Sequence, residues 1–195
     1  MSALIQTKAP TIEPVDLAAV VDWEHLGGIE TVKANEPTLP SLLAAARLAV
    51  EDILRCSMMA QEWKLVLDGF PCEIRLPRGP VATVDSIKYI NNDGVQQTLA
   101  SIHYQTDLLS DPPRIVPAYG EVWPSTRWQM NTVEVAYTAG VTDPANVSDG
   151  RKLLIKLYFA TFYQNRETVL IDHTVVSVPH TDQLIAGNSN RLFEY

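Results

Sequence analysis

The chain has 195 residues, 46% of them hydrophobic, with 15 Lys and Arg against 23 Asp and Glu for a net charge of −8. That balance is too apolar for a disordered chain, and the length is enough to bury a core without disulfide or metal staples. The negative charge speaks against stable nucleic-acid binding and against an anionic membrane surface, because both draw affinity from Lys and Arg.

The first 14 residues contain Ala9-Pro10 and Glu13-Pro14. The residue before a proline is pushed out of the helical region, so an extended lead-in is expected. It lacks the charged stretch and apolar run of a signal peptide, and no segment reaches the roughly 18 apolar residues of a membrane helix. Asp16 can cap a short helix near 15–26, through Leu17, Val20, Val21 and Trp23 to a stop at Gly27-Gly28. A polar loop with Pro37 and Pro40 follows. Ser41 then starts the clearest helix, 41–57, in which Leu42, Leu43, Ala46, Ala49, Val50, Ile53 and Leu54 recur at spacings of three and four. Arg47, Glu51, Asp52 and Arg55 fall mostly on its other side.

From about 61 to 138 the period shortens to two. Strands are expected at Trp63–Leu67, Glu73–Leu76, Val84–Ile90, Val95–Leu99, Tyr104–Leu108, Arg114–Val116 and Val133–Tyr137, divided by Pro and Gly turns. Asn91-Asn92-Asp93-Gly94 predicts a hairpin with a tight primed turn. The pattern reads as an antiparallel meander. A third helix is expected over 148–166. Its Leu153, Leu154, Ile155, Leu157, Tyr158, Phe159, Phe162 and Tyr163 make it apolar around most of its girth, which implies burial on more than one side. Residues 167–195 lose periodicity. The expected architecture is α+β: a small helical bundle carrying an antiparallel β insertion (1–166), then an extended C-terminal tail (167–195).

No segment carries recognisable catalytic machinery. His25, His103, His173 and His180 lie in unrelated segments without zinc spacing, and there is no GxSxG elbow, phosphate loop or GxGxxG. Glu51-Asp52, or Asp107 with Asp111, could pair as acid and base, but a solvated helix face and a turn before Pro112-Pro113 explain them better. Cys56 and Cys72, with no CxxC spacing, read as isolated core cysteines of a reducing compartment. No cofactor or metal is called for. Trp123, in a Pro-flanked loop, and Asp93-Gly94, at the hairpin tip, are candidates for a partner surface; Trp123 packed over the sheet is the bland alternative. The end of the tail, Arg191, Leu192, Phe193 and Tyr195, reads as an anchor on a flexible line. A carbohydrate- or peptide-binding β module of a virion or cell surface, using Trp123 and Trp128, is the alternative function.

One ordered string of segments is more specific. It runs from Ser41–Asp52 through Gln61–Pro71, Leu76-Pro-Arg-Gly-Pro-Val81 and Val84–Gly94. It continues with Tyr104–Asp107, Pro113–Pro117, Trp123-Pro124, Val133–Gly140 and a helix ending Tyr163–Glu167. Over roughly residues 12–168 this resembles the head–tail connector (adaptor) proteins of long-tailed bacteriophages, prophages and gene transfer agents. The resemblance implies a structural protein and not an enzyme, located at the virion neck after synthesis in the bacterial host cytoplasm. It implies a homo-oligomeric ring, usually of twelve subunits, beneath the portal protein, with a stopper or tail-terminator protein below. It also implies DNA passing through the channel without sequence-specific binding, and a C-terminal segment that reaches the portal. Twelve copies would gather about a hundred negative charges, which would repel phosphates so that the genome slides past. Asp16, Asp22, Glu24, Glu51 and Asp52 are the channel-charge candidates.

Overall fold

The computed structural model describes residues 2–26, 37–164 and 179–188. These fall into two compact units. Residues 2–11 and 56–142 form a sheet unit, and residues 12–55 and 143–188 form a helical unit. The α+β expectation holds: the strands from 61 to 139 occupy the region where the period shortens to two, and the helices Leu39–Leu54 and Asp149–Gln164 the two runs of helical period.

In the sheet unit, five strands run antiparallel in the order β1-β2-β8-β4-β5: β1 (Ser2–Lys8), β2 (Gln61–Leu67), β8 (Val133–Ala139), β4 (Val81–Ile90) and β5 (Gln96–Leu99). A second sheet has the order β3-β7-β6, from β3 (Ile74–Arg75), β7 (Arg114–Pro117) and β6 (Tyr104–Asp107). β8 shows the physical logic most plainly. Val133, Val135, Tyr137 and Ala139 are buried, while Glu134, Ala136 and Thr138 between them are half-exposed. Leu65, Ile87 and Leu99 from the large sheet, and Ile74, Leu76 and Ile115 from the small one and its flank, complete a single core. Tyr137 donates its buried hydroxyl to the Pro77 carbonyl at 2.7 Å, and burial pushes its phenol well above the ordinary tyrosine range. At half-buried Trp63, Nε1 donates to Ser57 Oγ at 3.0 Å, and the Arg78 guanidinium lies 5.4 Å from the ring centre.

Four expectations change here. The lead-in is extended, but Ser2–Lys8 is a true edge strand paired along β2. The strands do not form a meander: β2 lies beside β8, and β3, β6 and β7 form a sheet of their own. At the hairpin tip Gly94 has φ +81° and Asp93 does not share it, so the connection is a longer loop closed by a left-handed glycine and not a primed turn. Asn91 Oδ1 holds that loop by accepting from the amides of Asp93 and Val95. Cys56 is buried but Cys72 is exposed, with no disulfide between them.

The helical unit comprises α1 (Leu17–Leu26), α2 (Leu39–Leu54), α3 (Asp149–Gln164) and α4 (Pro179–Asn188). α2 starts before Ser41 because Pro40 suits the first turn, where its missing N–H costs nothing. It stops at Leu54, short of 57, because Arg55 turns left-handed at φ 52°. Leu39, Leu43, Ala46, Val50 and Leu54 form its buried stripe, joined in the unit's core by Val20 and Val21 of α1. α3 buries a narrower face than its composition suggests. Leu154, Ile155, Phe159 and Tyr163 are buried, while Leu157, Tyr158 and Phe162 are half-buried and Leu153 is exposed. The region read as an extended tail holds α4, which packs on α3. Arg151 Nη2 and Ser148 Oγ both hydrogen-bond Asn188, to its carbonyl and its Oδ1, each at 3.3 Å.

Candidate interaction surfaces

At one end of the five-stranded sheet the turn after β2, the β4–β5 loop and the entry to β8 are tied together. Asp68 accepts from the Asn131 amide at 3.0 Å, and its carbonyl accepts from Thr132 Oγ1. The Ile90 amide donates to the Thr132 carbonyl at 2.9 Å, and the Arg127 amide to the Ile90 carbonyl at 3.1 Å. The Arg127 guanidinium lies against Gly94, where a Cβ would stand 2.5 Å from Nη1. On this framework Trp128 is fully exposed and Met130 79% exposed, with Val95 at 53%. Such a cluster of apolar side chains in water is a common mark of an interaction surface.

Trp123 does not belong to that exposed set. Its ring stacks on Phe70 at 4.8 Å and 8°, Phe70 meets Tyr89 at 5.7 Å, and both pack against the sheet core. Trp123 is thus half-buried and packed over the sheet, the alternative that the sequence left open, while Trp128 is fully exposed. Trp123 Nε1 is buried and, among the described residues, has no hydrogen-bond partner. Asp93 and Gly94 do lie at the exposed tip. Met130 and the fully exposed Leu109 escaped the sequence reading. The available signal was a large apolar residue in a Pro- and Gly-rich loop with no periodic neighbour to pack on.

Charge on the sheet unit is largely neutralised locally. Lys8 pairs with Glu62 at 3.1 Å and Lys64 with Glu134 at 3.5 Å. Arg75 meets Glu73 at 2.7 Å, and Arg114 bridges Glu73 (3.6 Å) and Asp107 (3.2 Å). The Arg75 hydrogen bond, helped by Arg114, holds Glu73 below the usual carboxylate range. The Ser110 amide, with Arg114, does the same for Asp107. Asp107 is thus part of a turn and an ion lattice, not an acid–base pair with Asp111. His103 Nδ1 lies 2.8 Å from Glu121 Oε2 on the surface.

The helical unit is different. Residues 12–55 and 143–188 hold 13 acidic against 7 basic residues, or −6 of the chain's −8. Asp16, Asp22 and Asp52 are exposed. Glu24 lies on α1, and its side chain is outside the described residues. Glu51 leaves the set of channel-charge candidates: it is 2% exposed, with Oε2 2.7 Å from Arg47 Nη1. Arg47, itself buried, also gives Nε to Glu13 at 2.8 Å. A shallow cleft of about 350 Å³ between the starts of α1 and α3 brings Asp16 and Asp149 near Lys152 and Lys156, without a nucleophile or a metal set. Among the described residues no cluster of His, Cys, Asp and Glu could hold a metal, and no helix is long and apolar enough to cross a membrane. Arg191, Leu192, Phe193 and Tyr195 lie outside the described residues.

No protein-family model and no curated protein matches the sequence. Solved structures do. The chain shares its fold with a chain in the neck of an empty gene transfer agent particle computed with C6 symmetry, at TM-score 0.75 and 24% identity over 96% of this chain and 95% of that one. A chain in the virion of a native gene transfer agent particle superposes at TM-score 0.77 and 21% identity, over 95% and 94% of the two chains. A chain in the neck of a native particle computed with C12 symmetry gives 0.68 and 22% over 96% and 94%. Essentially the whole chain is matched, not one unit of it.

Proposed function

We propose that this protein is a structural component of the neck of a phage-like particle: a ring-forming head–tail adaptor that extends the DNA channel beneath the portal and presents a platform to the stopper or tail-terminator protein. The observation that carries this reading is the end-to-end likeness to chains of gene transfer agent necks, in both C6 and C12 reconstructions. The ordered segment resemblance in the sequence points the same way. Twelve copies fit the C12 case and six pairs the C6 case. The helical unit, with Asp16, Asp22, Glu24 and Asp52, supplies the acidity that keeps passing DNA from adhering. The loop end with Asp93, Gly94, Trp128 and Met130 suits a protein partner, and Arg191, Leu192, Phe193 and Tyr195 suit the portal. Nothing in this role requires catalysis, a cofactor or a membrane.

Mass photometry of the full chain, alone and mixed with the portal ring of the same particle, tests the reading. A discrete ring or a portal-bound ring is expected. A chain that stays monomeric and ignores portal in every condition overturns it.

A further inference from the structure

Among the described residues the five-stranded sheet ends in two open edges. β1 is paired only along β2 and β5 only along β4, and no described residue bonds to the outer side of either. Soluble proteins usually guard such edges with charge, proline or bulges, because a row of unpaired N–H and C=O groups is a template for another strand. This sheet places its charges the other way round. Glu62, Lys64, Asp85, Lys88 and Glu134 sit on the inner strands β2, β4 and β8. The outer strands carry one charge between them, Lys8 at the last position of β1 and just past a register shift that begins after Gln6, and no proline. Ser2–Thr7 and Gln96–Leu99 present only small, amide and apolar side chains, with Ile5 46% exposed.

A ring with cyclic symmetry needs two different, mutually complementary surfaces on each subunit, a head-to-tail contact. Each of the five strands is antiparallel to its neighbour, so β1 and β5 run in the same direction. A second copy, moved sideways with a small rotation, therefore brings its β1 beside β5 of the first as a parallel pair, and the operation repeats. We propose that the β1 edge of one copy adds to the β5 edge of the next, continuing the sheet from subunit to subunit around the ring. The contact rests on the ring reading above and specifies which surfaces make it. Main-chain hydrogen bonds supply the attraction, and an uncharged β5 against a β1 charged only at Lys8, its last residue, lowers the usual barrier to it.

Cysteine cross-linking tests this contact. Ile5 lies opposite Lys64, and Thr98 opposite Lys88, both on the face of the sheet away from the core. In a Cys72→Ser background, Ile5→Cys with Thr98→Cys, and the one-step alternatives Ile5→Cys with Gln96→Cys and Ala3→Cys with Thr98→Cys, cover the neighbouring registers. Oxidation of the concentrated full chain should give a ladder of trimers and larger species in at least one double variant, while each single variant stays monomeric on a non-reducing gel. Absence of a ladder in all three overturns the contact; if mass photometry still shows rings, the ring reading stands without it. Ready dimerisation of a single variant also overturns it, because like edges would then be meeting about a two-fold axis. A chain that cross-links but never forms a ring, alone or with portal, breaks the ring reading while the edge contact survives.

Discussion

Lys64, Arg75 and Arg114 in the sheet unit each stand within 4 Å of a carboxylate at the surface, whereas in the helical unit Arg47 is buried between two carboxylates and the exposed acids outnumber the bases. The same chain thus uses ionic groups in two ways. On the sheet they cancel one another in water, where an ion pair contributes little and salt screens it. In the helical unit one desolvated arginine ties α2 to the segment that precedes α1, and the remaining acidity is left as a field. On the proposed neck role, the first would be a neutral surface that partners can cover and the second a negative one that DNA does not adhere to.

Removing Arg47 should separate the two uses most sharply. Arg47→Met leaves Glu51 buried without its guanidinium and cuts Glu13 loose, which should cost about 3–5 kcal/mol. Arg114→Met, at the exposed lattice, should barely move the midpoint of a urea melt. Restoring an apolar match with Arg47→Met/Glu51→Leu should recover most of the loss, since a buried pair replaced by packed hydrophobes is often neutral or better. If the two single arginine variants melt alike, the contrast between the units is wrong.

Gly94→Ala is the next largest effect, and it falls on the sheet unit. At φ +81° an L-residue is strained by roughly 1–2 kcal/mol, and the new Cβ would also push the Arg127 guanidinium away. The variant should lose about that much stability and show faster amide exchange for Asn91–Val95 and Arg127. Gly120→Ala, at φ +78° with open space around its Cβ position, separates the two causes. Equal losses at both sites would mean that backbone strain alone matters and Arg127 contributes nothing.

How much of this was legible differs from element to element, within both units, for a physical reason. β8 and α2 announce themselves because their apolar residues keep one period and their burial follows it: Val133, Val135 and Tyr137 in one, Leu43, Ala46 and Val50 in the other. β1 was readable only as extended chain. Its pairing with β2 is sixty residues away in sequence, and a single side chain, Leu4, packs on the core. α4 was missed because Leu184 and Ile185 are too few to set a period, and its place is fixed by Asn188 bonding to α3 and its entry. Among the site residues, the exposure of Asp16 and Asp52 followed from helix polarity. The burial of Glu51 did not, because it depends on Arg47 one turn back taking a second carboxylate from Glu13.

The smallest expected effect concerns pH, and it asks whether the surface lattice is as dispensable as the comparison says. Glu73 and Asp107 both titrate below their ordinary values, the first through Arg75 and the second through the Ser110 amide, with Arg114 helping each. A depressed carboxylate stabilises the folded state above the pKa it has in the unfolded chain, and that contribution is lost as pH falls through the folded value. The small sheet β3-β7-β6 should therefore loosen as pH drops below about 4, while neutral and alkaline pH leave it unchanged. Two-dimensional NMR with amide exchange reads this locally: protection at β6 and β7 should fall before protection at β8. Arg114→Met should raise both carboxylate titrations, bringing that loosening to higher pH, without changing β8. If β8 and β6 lose protection together at every pH, the lattice is part of the common core and not a separable surface feature.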